Sequence, residues 1–272
     1  MTETTTVSAG SNPDLANSLV EKALADTAPP VEPAQIILPF NNVVVLPSGY
    51  ISPDGALHKE VEVRELNGVD EEALSKIDTL VKMWSAILSR GVVRVGAFPA
   101  TEAILDDLLI GDRDALVLGI YKATFGRMSN IDSFCSGCKD YKTVQFDVDA
   151  DLNMKLLADP IQNRTFKVYG VKNEYLVTLP TGFVAKELSS DQNRTDAEIK
   201  SVMLENCILE INNQPVVSKL QIKGLGIADR SKIFIEIMNR APGPQFDDIT
   251  IDCPDCGGKV VVPVSLGAIF RY

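Results

Sequence analysis

From about residue 41 onward, short β-branched or alternating runs take turns with segments whose apolar positions recur every three or four residues, the pattern of an α+β protein. A strand-like run enters Leu46-Pro47-Ser48-Gly49-Tyr50, where proline followed two residues later by glycine suits a turn that needs positive φ. Leu179-Pro180-Thr181-Gly182-Phe183 repeats the theme. Each pentapeptide is expected to open a β-hairpin whose second arm ends in Glu-Leu, at Glu65-Leu66 and at Glu187-Leu188. Asp70-Glu71-Glu72 then lead a helix with Leu74, Ile77, Val81, Trp84 and Leu88 along one stripe. Thr195-Asp196 lead a shorter version through Ile199, Val202 and Met203.

The parallel continues. Val92–Val95 and Ile208–Ile211 read as short strands 116 residues apart. Ile110-Gly111-Asp112-Arg113 and Ile227-Ala228-Asp229-Arg230, 117 apart, read as helix starts with the aspartate suited to the N-cap, and Gly126 and Gly243 as helix stops. Each copy ends in a Cys-x-x-Cys knuckle, Cys135/Cys138 and Cys253/Cys256, at an offset of 118 (253 minus 135). A strand follows each: Val144–Val148 alternates, whereas Val260–Val264 is almost wholly apolar and is expected to be the more deeply buried.

The expected organisation is a flexible tail over 1–40, a first repeat over 41–151, a connector over 152–174 and a second repeat over 175–272. The fold class is α+β with two tandem pseudo-symmetric repeats, each a β-hairpin, helix, strand, helix, knuckle and strand, joined at a shared zinc-ribbon-like site. In the tail, rich in Thr, Ser, Asn and Pro, Leu15, Leu19, Val20 and Leu24 recur at helical spacing. A frayed helix is favoured there over a partner-docking segment.

A Cys-x-x-Cys turn places two thiolates on one side of a tight loop, and two such turns satisfy tetrahedral zinc. The 114 residues between Cys138 and Cys253 far exceed an ordinary zinc-ribbon spacing, and duplication explains the gap: each half brings its own knuckle to a common metal. The site is expected to hold one structural zinc per chain, with Cys207 as the spectator of the five cysteines. Unmetallated thiols are the bland alternative. A redox dithiol lacks the helix N-terminus that would lower its pKa, and catalytic zinc needs an open position. The single histidine, His58, lies in an arm expected to be exposed, so no catalytic and no cofactor-binding residue is assigned. Asp112-Arg113 and Asp229-Arg230 are read as caps with local ion pairs, and Asp147, Asp149 and Asp151 as a solvated face rather than a calcium site. Gly224 and Gly226 lack the rest of a phosphate-binding loop.

With 272 residues, 45% of them hydrophobic, the chain can bury one full core or two smaller ones. A net charge of −11 argues against nucleic acid as the main ligand. No apolar run is long enough to span a membrane and the first residues lack a signal-peptide pattern, so a cytosolic protein is expected.

The order of these motifs resembles the baseplate proteins of contractile-tailed bacteriophages related to the T-even baseplate hub assembly protein. The resemblance rests on LPSGY and LPTGF, the Glu-Leu followed by an acidic helix, GDRDALVLGIYKATFG, and the knuckles with their strands, ending in CPDCGGKVVVPVSLGAIF, and it covers about Val43 to Tyr272. The first knuckle departs from the family pattern, reading Cys-Ser-Gly-Cys without the proline and trailing glycine. The resemblance implies a non-enzymatic chaperone for the hub or a component retained in the virion. It would act in the host bacterial cytoplasm during tail assembly, with other tail and baseplate proteins as partners and an oligomer within the baseplate allowed. The competing expectation is a zinc-ribbon adaptor on host transcription or translation machinery. That reading needs basic surface, and only Lys139, Lys142 and Lys259 lie near the knuckles.

Overall fold

The computed structural model describes residues 13–25, 42–191 and 193–270. The chain divides into two compact units, Met1–Leu38 and Pro39–Tyr272. The first is described through one helix, α1 (Pro13–Ala25), with Asp14 in its first turn, Lys22 in its last, and Leu15, Leu19 and Val20 exposed. That matches the helical spacing of the sequence; the rest of the expected tail lies outside the described residues.

The second unit opens with β1 (Asn42–Ile51) and β2 (Leu57–Val63), an antiparallel pair. The expected hairpin is present, but LPSGY lies inside β1, and the chain reverses at Ser52–Ala56, closed by Ser52 and Gly55 backbone bonds. Gly49, at φ +86°, serves a register shift between Val45 and Tyr50 rather than a turn. The expected single helix is two, α2 (Gly68–Leu74) and α3 (Leu80–Gly91). Asn67 starts the first through a capping box with Asp70, and Thr79 caps the Lys82 amide to start the second, so the chain turns between them.

Next come β3 (Val92–Val95), β4 (Phe98–Pro99), α4 (Glu102–Asp107) and α5 (Ile110–Phe125). The first sheet has the order β1-β2-β3-β4. Helix α5 is buried almost all round, from Gly111 to Tyr121, and ends at Gly126 with φ +85° as expected. A hairpin of β5 (Met128–Cys135) and β6 (Asp140–Asp147) carries the first knuckle at its tip.

The segment expected as a connector contains β7 (Asn153–Lys155) and β8 (Thr165–Tyr169). β8 pairs with β9 (Glu174–Thr178), so the second hairpin precedes LPTGF, which leads instead into α6 (Gly182–Ser189). The arm expected to end at Glu187-Leu188 is therefore helical. Then follow α7 (Asp196–Cys207), started by the Thr195/Glu198 capping box, β10 (Ile208–Ile211), β11 (Gln214–Pro215), α8 (Lys219–Lys223) and α9 (Ile227–Arg240). The second sheet has the order β11-β10-β9-β8. β12 (Gly243–Gln245) pairs with β7, and β13 (Ile249–Asp252) with β14 (Lys259–Val262), which carry the second knuckle; α10 (Leu266–Ile269) closes the described chain.

The architecture is thus mixed α+β with several antiparallel sheets. Two apolar cores form. The larger lies under the first sheet and also takes in Cys253, Val260, Val262, Val264, Leu266, Ile269 and Phe270 from the C-terminal end. Residues late in the sequence therefore complete the core built by its beginning. Phe270 packs against Tyr121 at 5.1 Å and Trp84 at 5.6 Å between ring centroids.

Aspartates 112 and 229 are not N-caps; those positions belong to Leu109 and Gly226. Asp112 is fully buried, and its carboxylate accepts from the amides of Ser48 and Gly49 and from the Ser48 hydroxyl, holding the irregular segment of β1. Asp229 accepts from the Val171 amide and the Tyr175 hydroxyl, holding the β8–β9 turn. Both sit in the first turn of their helices, past the cap, and reach partners on other elements. Gly243 likewise is not a direct stop: α9 ends at Arg240, with Ala241 as its C-cap.

Candidate metal centre

The two knuckles are built alike. In the first, the Lys139 amide donates to the Cys135 carbonyl and Lys139 has φ +56°; in the second, the Gly257 amide donates to the Cys253 carbonyl and Gly257 has φ +67°. Glycine meets that left-handed requirement at no cost, and lysine meets it at some strain. The Cys138 amide points at Cys135 Sγ at 3.5 Å, and the Gly258 amide at Cys256 Sγ at 3.4 Å.

The hairpins bring the knuckles together by packing β14 against β5. All four sulfurs of Cys135, Cys138, Cys253 and Cys256 lie within 4.8 Å of one another. Cys135 Sγ is 3.6 Å from Cys256 Sγ, and Cys138 Sγ is 3.7 Å from Cys253 Sγ, so the contacts cross between knuckles. A tetrahedral ion with metal–sulfur bonds of ~2.3 Å sets its sulfurs about 3.8 Å apart, whereas a disulfide needs ~2.05 Å. The cysteines are free thiols in a geometry that could hold a metal ion.

The surroundings fit that use. Backbone amides of Asp255 and Cys256 hold the Cys253 thiol down to about 7, while hydrogen bonding with Cys256 and burial push Cys138 up to about 12. Crowded sulfurs resist ionising together without a cation among them. Cys135 and Cys253 are buried, Cys138 is half-buried and Cys256 exposed. Lys142 joins the knuckles from outside, 2.8 Å from Asp255 and 3.2 Å from Asp140. Gly137 is required by the approach itself, because a β-carbon there would stand 2.9 Å from Cys256 Sγ. The glycine in Cys-Ser-Gly-Cys thus answers to the opposite knuckle, which spacing alone does not reveal.

Both strands after the knuckles are present, but β14 alternates in burial and leaves Val261 exposed, contrary to the deeper burial expected of it. Cys207 lies apart from the cluster, in the smaller core, where burial pushes its thiol up to about 12. His58 is half-buried rather than exposed, with its ring edge-on to Phe98 and Nε2 3.1 Å from the Ser52 hydroxyl. Ser52 also bonds to Asp54 and to the Ala56 carbonyl, which ties all three groups to the hairpin turn. Asp147 accepts from the amides of Asp149 and Ala150 and pairs with Arg127, while Lys122 pairs with Asp149, so that acidic end is satisfied internally. Among the described residues no helix is long and apolar enough to cross a membrane.

Fold and site together define a mixed α+β protein with a four-cysteine cluster suited to a metal ion. Comparisons with protein-family models, curated proteins and solved structures give no match.

Proposed function

We propose that the chain is a non-enzymatic structural or assembly protein of a contractile-tailed phage baseplate, internally duplicated and clamped by one zinc ion. The observation that carries the reading is the set of four sulfurs drawn equally from two knuckles 118 residues apart (253 minus 135). Four thiolates at tetrahedral spacing leave no open coordination position, which favours a structural role and, for soft sulfur ligands, zinc.

Duplication is supported by matching element order. Sheets β1-β2-β3-β4 and β8-β9-β10-β11 are each followed by a short helix, a long helix and a knuckle hairpin, the second copy adding the short strand β12 before its hairpin. The arginines support it at atomic detail. Arg113 donates to the Leu105 carbonyl and the Ser85 hydroxyl, and Arg230 donates to the Ile222 carbonyl and the Ser201 hydroxyl. On this correspondence Gly182 pairs with Gly68, so LPTGF is the counterpart of the entry to α2 and its likeness to LPSGY is incidental.

The baseplate assignment rests on the order of sequence motifs described above. Exposed carboxylates around the knuckles, Asp140, Asp252 and Asp255, weigh against a nucleic-acid-binding adaptor. The reading predicts about one zinc per purified chain, and recovery of tail proteins with the tagged chain from infected cells. A metal-free, monodisperse monomer that recovers no tail protein would overturn it. Mass spectrometry of purified particles then separates a retained component from a chaperone.

A further inference from the structure

Away from the sulfurs, a cleft of about 300 Å³ opens where the start of α5, helices α7 and α9, and the chain after α9 converge. Leu109, Pro180, Met203, Met238, Pro242 and Phe246 give it apolar walls, and among the described residues Asp114 is the one ionisable side chain that lines it.

Asp114 is the third member of a charged run whose other two members are spoken for. Asp112 turns to Ser48 and Gly49. Arg113 turns to Leu105, Ser85 and Asp106. No described residue hydrogen-bonds to the Asp114 carboxylate or forms an ion pair with it. Burial pushes this carboxyl up to about 7, with Arg113 opposing only through longer-range attraction. Asp114 is half-buried, so its carboxylate keeps some water, but against apolar walls it gains from an added cation, and the chain sets none in contact with it.

We propose that this cleft receives a single arginine side chain from a partner protein, with Asp114 as its carboxylate anchor. Guanidinium is the cation that fits. Its planar fork meets both free carboxylate oxygens, its weak hydration makes transfer into an apolar cleft cheaper than for ammonium, and its methylene stem matches the Met and Pro walls. The volume is at the small end of ligand pockets, which span roughly 300–1,000 Å³, and suits one long side chain. Arginine and methionine are both enriched at protein interfaces. The proposal is independent of the baseplate reading and of the metal.

The test uses the full metal-loaded chain with labelled methionine methyl groups, observing Met203 and Met238 by NMR. The probes are N-acetyl-arginine amide, its neutral isostere N-acetyl-citrulline amide, and N-acetyl-lysine amide. Arginine should give saturable shifts at both methyls, with citrulline and lysine at least about tenfold weaker, a factor worth 1.4 kcal/mol. Asp114→Asn should weaken the arginine response by a similar factor while leaving metal content unchanged. Equal responses to arginine and citrulline, a lysine response as strong as arginine's, or no saturable shift would each overturn the proposal. These probe comparisons on the unmutated chain decide it even if Asp114→Asn does not fold.

Discussion

A β-carbon on Gly111 would stand 1.8 Å from the carbonyl oxygen of Pro242 and 2.6 Å from its carbonyl carbon. The chain leaving α9 therefore presses directly on the second residue of α5, and only a hydrogen side chain permits it. Gly111→Ala must displace backbone on one side or the other. Overpacking of this kind costs about 1–3 kcal/mol, and backbone collision puts this case at the upper end or beyond. Ala228, the second residue of α9, is exposed. Ala228→Gly should cost only the helix penalty of about 1 kcal/mol, so chemical denaturation of the two variants should rank Gly111→Ala well below it.

The sulfur cluster makes a separable prediction. Cys253→Ser should abolish stoichiometric zinc and lower the melting temperature, because a structural metal couples to folding. The readout is built in: Trp84 is the single tryptophan and packs on Phe270 beyond the second knuckle. Chelation or Cys253→Ser should change Trp84 fluorescence as the C-terminal segment loosens. Cys207→Ser should leave metal content intact and cost about 1–3 kcal/mol for burying a hydroxyl in an apolar core. Equal zinc in both variants would contradict the four-sulfur site.

Asp70 is buried between Arg64 at 2.8 Å and Arg90 at 3.0 Å, each about one-third exposed. Despite burial, which opposes ionisation most, bonds from Arg64, the Asn67 amide and Arg90 hold its carboxyl down to about 2. A depressed folded pKa contributes stability above the unfolded value of ~3.9 and loses it as pH falls toward 2. Asp70→Asn should cost about 1–3 kcal/mol at neutral pH, discounted from a fully buried pair because the arginines meet solvent. The difference from the unmutated chain should shrink steadily in denaturation curves taken from about pH 4 down toward about pH 2.

The knuckles, the strands β3 and β10 and the Thr195 start of α7 are local chemistry, so the sequence displays them. What it concealed has long-range causes. β5 alternates in burial, but Ser129 and Ser133 occupy buried positions, so no apolar alternation announces a strand. α5 is buried on almost every side and therefore lacks a stripe. LPSGY and LPTGF look alike but meet different neighbours: Asp112 grips the first, whereas the second runs into α6 through Gly182, against which the Arg113 guanidinium packs. Asp112 and Asp229 look like caps until their partners, 64 and 58 residues away, are known. The cysteines that come together were thus legible and the cleft at Asp114 was not, since its walls come from α5, α7, α9 and the segment beyond.

Asp114 gives a stability prediction of opposite sign to Asp70. Its carboxyl is raised to about 7 by burial, against the opposing attraction of Arg113. A raised carboxyl binds its proton more tightly in the folded state, so folding is penalised once both states ionise and relieved as pH falls from about 7 toward the unfolded value of ~3.9. Asparagine keeps the shape and cannot ionise. Asp114→Asn should therefore be more stable than the unmutated chain at pH 8, and that advantage should shrink through pH 7 and disappear by about pH 4. Urea denaturation at these pH values measures the difference directly. An advantage that does not change with pH would mean the gain comes from packing rather than from removing an unpaired charge. In the presence of an arginine-bearing partner the order at pH 8 should reverse, because the ionised carboxylate then has the counter-ion that the chain itself withholds.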